Sequence, residues 1–219
     1  MASGSLLGYL ARVQVDIPGP AGRVEALLEE PESPKFIAVV CHPHPLFGGS
    51  MHNHATYRLA RAVREQGGSS LRFNFRGVGR SLGEFDDGRG EVEDAKAVLR
   101  WLAEQRPRLP TFLAGFSFGA HIALQVGCSD SMVAGVLASG LAPRSLRTDF
   151  VRHCTLPIAV VQADRDEFGS VDEVRFLLSG GAGPRHLWVV HGAAHLFVEA
   201  LDSFQKMAQE ALSWLMETT

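Results

Sequence analysis

The chain has 219 residues, 46% of them hydrophobic and 21% charged, with a formal net charge of −3. That length fits one domain of ordinary size, residues 1–219, and can bury roughly 70–75% of its unfolded surface. The absence of a broad basic field argues against nucleic acid as a partner. No apolar run approaches the ~20 residues of a membrane span, so no membrane partner is expected.

The start, MASGSLLGYLARVQV, lacks a basic region followed by an apolar one, the pattern of a secretory signal. Cys41, Cys128 and Cys154 are few, odd in number and widely spaced. They are read as buried and inert, without a disulfide framework, in a chain of the reducing cytoplasm.

Taken in order, YLARVQVDI and GRVEALLEE read as two strands around the turn PGPA. KFIAVVCH is a short β-branched run of buried-strand type. NHATYRLARAVREQGG has helical spacing and ends in glycines. SLRFNF is a strand, and GEVEDAKAVLRWLAEQR is the clearest helix, with Val92, Ala95, Val98, Leu99 and Leu102 on one face. TFLAG and FGAHIALQVG follow as strand and helix. MVAGVLAS and LPIAVVQA are apolar strands, SVDEVRFLL a short helix and HLWVV a strand. A long helix, LFVEALDSFQKMAQEALSWLM, closes the chain. Apolar strands alternating with amphipathic helices imply an α/β fold with a mostly parallel sheet covered on both faces.

Gly115-Phe116-Ser117-Phe118-Gly119 stands where an apolar strand meets a helix. A strand that turns sharply into a helix needs unusual backbone angles at the turn and small residues two places to either side. Gly115 and Gly119 meet that need. The middle residue is then lifted at the carboxyl edge of the sheet, where helix N–H groups favour an anion. Ser117 is therefore the candidate nucleophile.

Serine needs a base, and the base needs an acid to hold it. In this type of fold the order is serine, acid, histidine, at later strand ends. Asp164, Asp166 and Glu167 follow one strand; His191 and His195 follow the next. Asp164 is near enough to the strand to cap the turn. Asp166 reaches further toward a shared site and is the favoured acid. His195 is the favoured base, opening the last helix, and His191 is read as a loop histidine.

CHPHPLFGGSMHN, LRFNFRGVGRSLGEFDDGRGE, LAGFSFGA, QADRDEFGSV and GAAHLF together resemble the α/β-hydrolase family, over nearly the whole chain. The likeness is to small lidless bacterial serine esterases with dienelactone-hydrolase-like organisation. The resemblance implies Asp166 as acid and His195 as base. It also places FRGVGRSLG beside the catalytic pocket and makes Arg76 a salt-bridge partner.

Two backbone donors must form an oxyanion hole. Phe118 N–H, directly after Ser117, is one. Pro43 and Pro45 have no N–H, which leaves Leu46 or His44 for the second; Leu46 is preferred. SGLAPRSLRTDFVRHCT is too short for a substantial lid, so an open site is expected. Phe47, Phe116, Phe118, Leu141, Phe168 and Phe197 are candidates for an apolar acyl pocket, each with a core role as the competing reading.

The expected activity is acyl-enzyme hydrolysis of small, short-chain carboxylic esters, without cofactor or metal. Thioester, amide or lactone hydrolysis, or a non-catalytic binding module, are the alternatives. His42, His44, His52 and His54 lack an accompanying acidic or cysteine ligand pattern and are read as loop-packing residues. Leu82 stands where a dinucleotide-binding GxGxxG would need glycine. Oligomeric state has no sequence signature here.

Overall fold

The computed structural model describes residues 9–144 and 148–219. The stretch on which the secretory-signal reading rests begins outside the described residues, as does the middle of the connection read as too short for a lid.

Eight strands of the described residues form one sheet. They are β1 (Tyr9–Gly19), β2 (Gly22–Pro31), β3 (Ile37–Cys41), β4 (Ser69–Phe73), β5 (Thr111–Phe116), β6 (Val133–Ser139), β7 (Ile158–Ala163) and β8 (Arg185–Val190). The spatial order is β1-β2-β4-β3-β5-β6-β7-β8. β1 and β2 form the expected hairpin, and β2 meets β4 antiparallel. Every pair from β4 to β8 is parallel. Among the described residues five helices accompany the sheet: α1 (His54–Glu65), α2 (Arg89–Gln105), α3 (Phe118–Gly127), α4 (Val171–Leu178) and α5 (Leu201–Thr218). Among the described residues no helix is long and apolar enough to cross a membrane.

The alternation of side chains along each strand sorts the core into two layers. In β3, Ile37, Val39 and Cys41 pack with Ala95, Val98 and Leu99 of α2 and Ala120 and Ile122 of α3. Ala38 and Val40 point the other way, against Leu59 and Val63 of α1 and Phe204, Ala208 and Leu212 of α5. Parallel strands buried on both faces read as unbroken apolar runs, which is why the period-2 signal is missing from KFIAVV and LPIAVV.

The last helix starts later than its sequence pattern implies. Phe197 adopts φ 58°, in the left-handed region, and a short 3-10 turn at Val198–Ala200 precedes α5. The buried Phe197 ring stacks on Phe204 at 4.3 Å, and that anchor holds the chain away from a helical path. His195 thus lies in a loop and does not open the helix.

A second correction concerns the cysteines. Cys128, capping the end of α3, is bonded to Cys154, with Cα atoms 5.1 Å apart across 26 positions of sequence. The fold brings the end of α3 under the β6–β7 connection, a contact that linear spacing hides. Cys41 remains the free, buried thiol, and its burial pushes the thiol pKa up. The cross-link removes the cysteine argument for a reducing compartment.

Candidate active site

Ser117 joins the end of β5 to the start of α3 with φ 56° and ψ −118°, a backbone state that non-glycine residues rarely hold. Its flanks explain the glycines. A Cβ on Gly115 would stand 2.2 Å from the Gly119 carbonyl oxygen. One on Gly119 would stand 2.4 Å from the carbonyl oxygens of both Cys41 and His42. The turn is held by Ser117 N–H donating to Ser139 O at 2.9 Å, and Ser117 O accepts from Ala120 and His121 N–H at 3.0 and 3.2 Å.

His195 Nε2 is 2.9 Å from Ser117 Oγ, and His195 Nδ1 is 2.8 Å from Asp166 Oδ2. This places the hydroxyl proton toward Nε2 and the imidazole proton on Nδ1. Asp166 and His195 are both buried. Asp166 Oδ1 accepts from Phe168 N–H at 2.9 Å, and Oδ2 also accepts from Gln162 Nε2 at 3.0 Å. The rings of Phe116 and Phe168 stand 5.1 and 4.7 Å from the imidazole. Glu167 Oε2 accepts from the His195 amide at 3.3 Å.

The rival pair is engaged elsewhere. Asp164 accepts from Gly192 N–H at 2.8 Å and stands 3.2 Å from the exposed His191 ring. It ties two strand-end turns together, away from Ser117.

Phe118 is the first residue of α3, so its N–H has no acceptor within the helix. Leu46 fits the second-donor expectation less simply. Its N–H donates to His44 Nδ1 at 3.2 Å, with His44 capping a short 3-10 turn, Pro45–Phe47. An oxyanion would have to displace that ring. The His44 ring touches those of Phe47, Phe85 and Phe118 at 4.8–4.9 Å, which sets the loop beside the Ser117 turn.

His42 is fully buried. Its Nε2 accepts from Phe75 N–H at 3.0 Å and its Nδ1 donates to Pro43 O at 2.6 Å. Burial lowers its pKa to about 4. His54 Nε2 donates to Leu196 O at 2.7 Å, tethering the His195 loop to α1.

The pocket candidates divide. Phe116, Leu141 and Phe197 are buried and belong to the core, as Phe118 nearly does, so they offer a substrate no surface. Phe47, at 86%, and Phe168, at 47%, are exposed, the first against the His44 ring and the second against that of His195. Arg76 makes the expected ion pair, bidentate to the fully buried Asp94 at 2.8 and 3.0 Å, which pins the loop after β4 to α2. In the β6–β7 connection the described structure amounts to a five-residue 3-10 turn, Asp149–His153, lying against α3 through the disulfide and the His121–Phe150 contact.

Two features escaped the sequence reading: Gln162 beside Asp166, and the cross-link. Gln162 has a weak signature, a lone amide inside an apolar strand four residues before Asp166.

The model of the alpha/beta hydrolase domain family matches residues 38–216. The chain belongs to the alpha/beta hydrolase family. An alpha-beta serine hydrolase homologue from Coxiella burnetii shares 34% identity, covering 95% of this chain and 100% of its own, with a TM-score of 0.85. A serine hydrolase without lid from Xanthomonas campestris shares 32% identity over 95% of this chain and 96% of its own, also at TM-score 0.85. An uncharacterised protein of Rickettsia prowazekii is 35% identical over 209 residues, covering 91% of this chain and 88% of that protein. This alpha/beta hydrolase therefore shares its fold over nearly its whole length with bacterial serine hydrolases, one of them without a lid.

Proposed function

We propose that this alpha/beta hydrolase cleaves small carboxylic esters through an acyl-enzyme intermediate. Ser117 is the nucleophile, His195 the general base and then acid, and Asp166 the residue that fixes the imidazole tautomer and stabilises its charged form. One observation carries the reading: a single imidazole bridges Ser117 Oγ at 2.9 Å and a buried carboxylate at 2.8 Å.

His195 Nε2 takes the Ser117 proton as Oγ attacks the acyl carbon. Phe118 N–H and Leu46 N–H receive the oxyanion, the latter when the oxygen replaces the His44 ring as its acceptor. The protonated imidazole then donates to the leaving alcohol. Water, deprotonated by the same nitrogen, releases the acid. Phe47 and Phe168 at an open rim suit small acyl groups, held by contact rather than enclosure.

A p-nitrophenyl ester series run on wild type beside Ser117→Ala tests this. Short chains should turn over fastest, and Ser117→Ala should lose ~10⁴-fold or more in kcat. A fluorophosphonate should phosphonylate wild type once, with loss of HF, so that its mass rises by one reagent molecule less HF, and should leave the variant unlabelled. Activity that survives in Ser117→Ala, or a maximum at long chains, would overturn the reading.

A further inference from the structure

Gln162 is a polar residue in a strand that is otherwise apolar, and it is fully buried. A buried amide is costly unless its donors and acceptor all find partners. Here they do. Oε1 accepts from Leu141 N–H at 2.8 Å. Nε2 lies 3.1 Å from Leu141 O, 2.7 Å from Gly169 O and 3.0 Å from Asp166 Oδ2. One donor faces one end of the amide and three acceptors face the other, so only one orientation satisfies the cluster.

We infer that Gln162 is the positioning residue of the acid, rotating the Asp166 carboxylate into the plane where Oδ2 meets His195 Nδ1. The inference rests on the reading of Ser117, His195 and Asp166 as the catalytic set. Asp166 Oδ2 is held between Gln162 Nε2 and His195 Nδ1, and Oδ1 is fixed by Phe168 N–H. The same amide joins Leu141, after β6, to Gly169, before α4, and so couples the frame of two loops to one carboxylate.

Among the described residues, other charged groups near the pair are few. Glu167 accepts from the His195 amide, and Arg144 reaches Glu167 O at 3.4 Å while pairing with Glu173 at 2.9 Å. Asp164 and His191 occupy each other on the same two loops.

Gln162→Glu separates positioning from mere loop-tying. Protonated, the new side chain keeps the shape and donates one O–H toward Asp166. Ionised, it donates nothing and sets a second negative charge against Asp166 Oδ2 and two carbonyl oxygens. Burial and like charge raise the pKa of such a carboxyl, to about 8–9 in documented buried glutamates. The kcat/KM of Gln162→Glu should follow the wild-type pH profile at low pH. It should then fall about 10–100-fold through a new descending limb, the loss expected for one hydrogen bond to a charged group. Gln162→Leu should show the 10–100-fold loss in kcat at every pH, with KM little changed. Circular dichroism at each pH confirms that the variants stay folded.

A Gln162→Glu profile superimposable on wild type would overturn the inference. Should neither variant fold, wild type still decides. The Gln162 side-chain amide signals in ¹⁵N spectra should shift with the same midpoint as the acid limb of activity; signals that stay fixed overturn it. Ser117→Ala in the same assay distinguishes the two failures. Activity surviving there sinks the catalytic reading itself, whereas an inactive Ser117→Ala beside unaltered Gln162 variants sinks the role of Gln162 alone.

Discussion

Between pH 6.5 and pH 4 the folded protein should lose stability through two buried histidines on either side of the Ser117 turn. Burial lowers the pKa of His42 and of His121 to about 4, from an ordinary value of 6.5. His42 spends its Nε2 lone pair on Phe75 N–H, and His121 Nδ1 is buried without a hydrogen-bond partner among the described residues. The unfolded chain therefore takes up a proton at each site before the folded one does. Their contribution is intact above pH 6.5 and is lost as the pH falls toward 4. The interval from 6.5 to about 4 corresponds to about 3 kcal/mol per histidine. Near pH 5 each adds about 1.4 kcal/mol per pH unit to the slope of unfolding free energy. Two such sites weigh heavily against the ~5–15 kcal/mol of a typical domain. Urea unfolding at pH 7, 6, 5.5 and 5 measures the slope directly. His121→Leu should reduce it by about 1.4 kcal/mol per pH unit while raising stability at pH 5 relative to wild type. In ¹⁵N spectra His42 Nε2 should remain an unprotonated acceptor down to pH 5. Equal slopes in the two proteins, or a His42 that titrates near 6, would refute the argument.

Gly119→Ala puts a methyl 2.4 Å from two backbone carbonyl oxygens of the β3 end, where neither side can give. We expect a loss of roughly 3 kcal/mol, the upper range of overpacking, measured by urea unfolding. Labelling by fluorophosphonate should drop further than stability alone explains, because α3 and the Phe118 N–H move with it; full labelling would contradict this. Reducing Cys128–Cys154 opens a loop with a sequence separation of 26. On the chain-entropy model that costs about 3.5 kcal/mol, read as a lower urea midpoint in dithiothreitol. A Cys128→Ser/Cys154→Ser double variant should start at the lower midpoint and ignore dithiothreitol, and an insensitive wild type with demonstrably reduced thiols would be the contrary result. Buried Cys41 should stay silent to thiol reagents until the chain unfolds.

Those features that local patterning controls were legible in the sequence. Gly115 and Gly119 bracket Ser117 because backbone approaches backbone there, and only composition at fixed offsets is needed to see it. The loops carrying Asp166 and His195 follow obvious apolar strands. Features that depend on which segments meet were not legible. Cys128 and Cys154 are neighbours only once the β6–β7 connection folds back onto α3. Phe116 and Phe197 stand beside the site in sequence, yet their rings face the α1–α5 layer of the core. The late start of α5 comes from one left-handed residue whose ring is claimed by Phe204. The His44 side chain takes the Leu46 N–H through a two-residue cap that no spacing rule announces.

The distance His195 must cover explains several residues that no motif includes. β5 and β8 are separated by β6 and β7, three strand spacings or about 14 Å. The chain leaving β8 must therefore run back over the ends of β7 and β6 before the imidazole meets Ser117. Gly140, directly after β6, lies under that path with φ 57°. A Cβ there would press to 2.7 Å from the Phe116 ring and 3.3 Å from His195 Cε1. The returning loop is then fixed at both flanks. Gly192 N–H is held by Asp164 at the near end, and Leu196 O is held by His54 of α1 at the far end. Phe197 closes it from below, seated between Phe116 and Phe204. Asp166 needs no such reach, since β7 lies between β6 and β8 and its loop sits under the returning histidine. The imidazole is thus placed by the return path as much as by its carboxylate, and the small residue at 140 is as much a condition of the 2.9 Å contact with Ser117 as the two glycines of the turn.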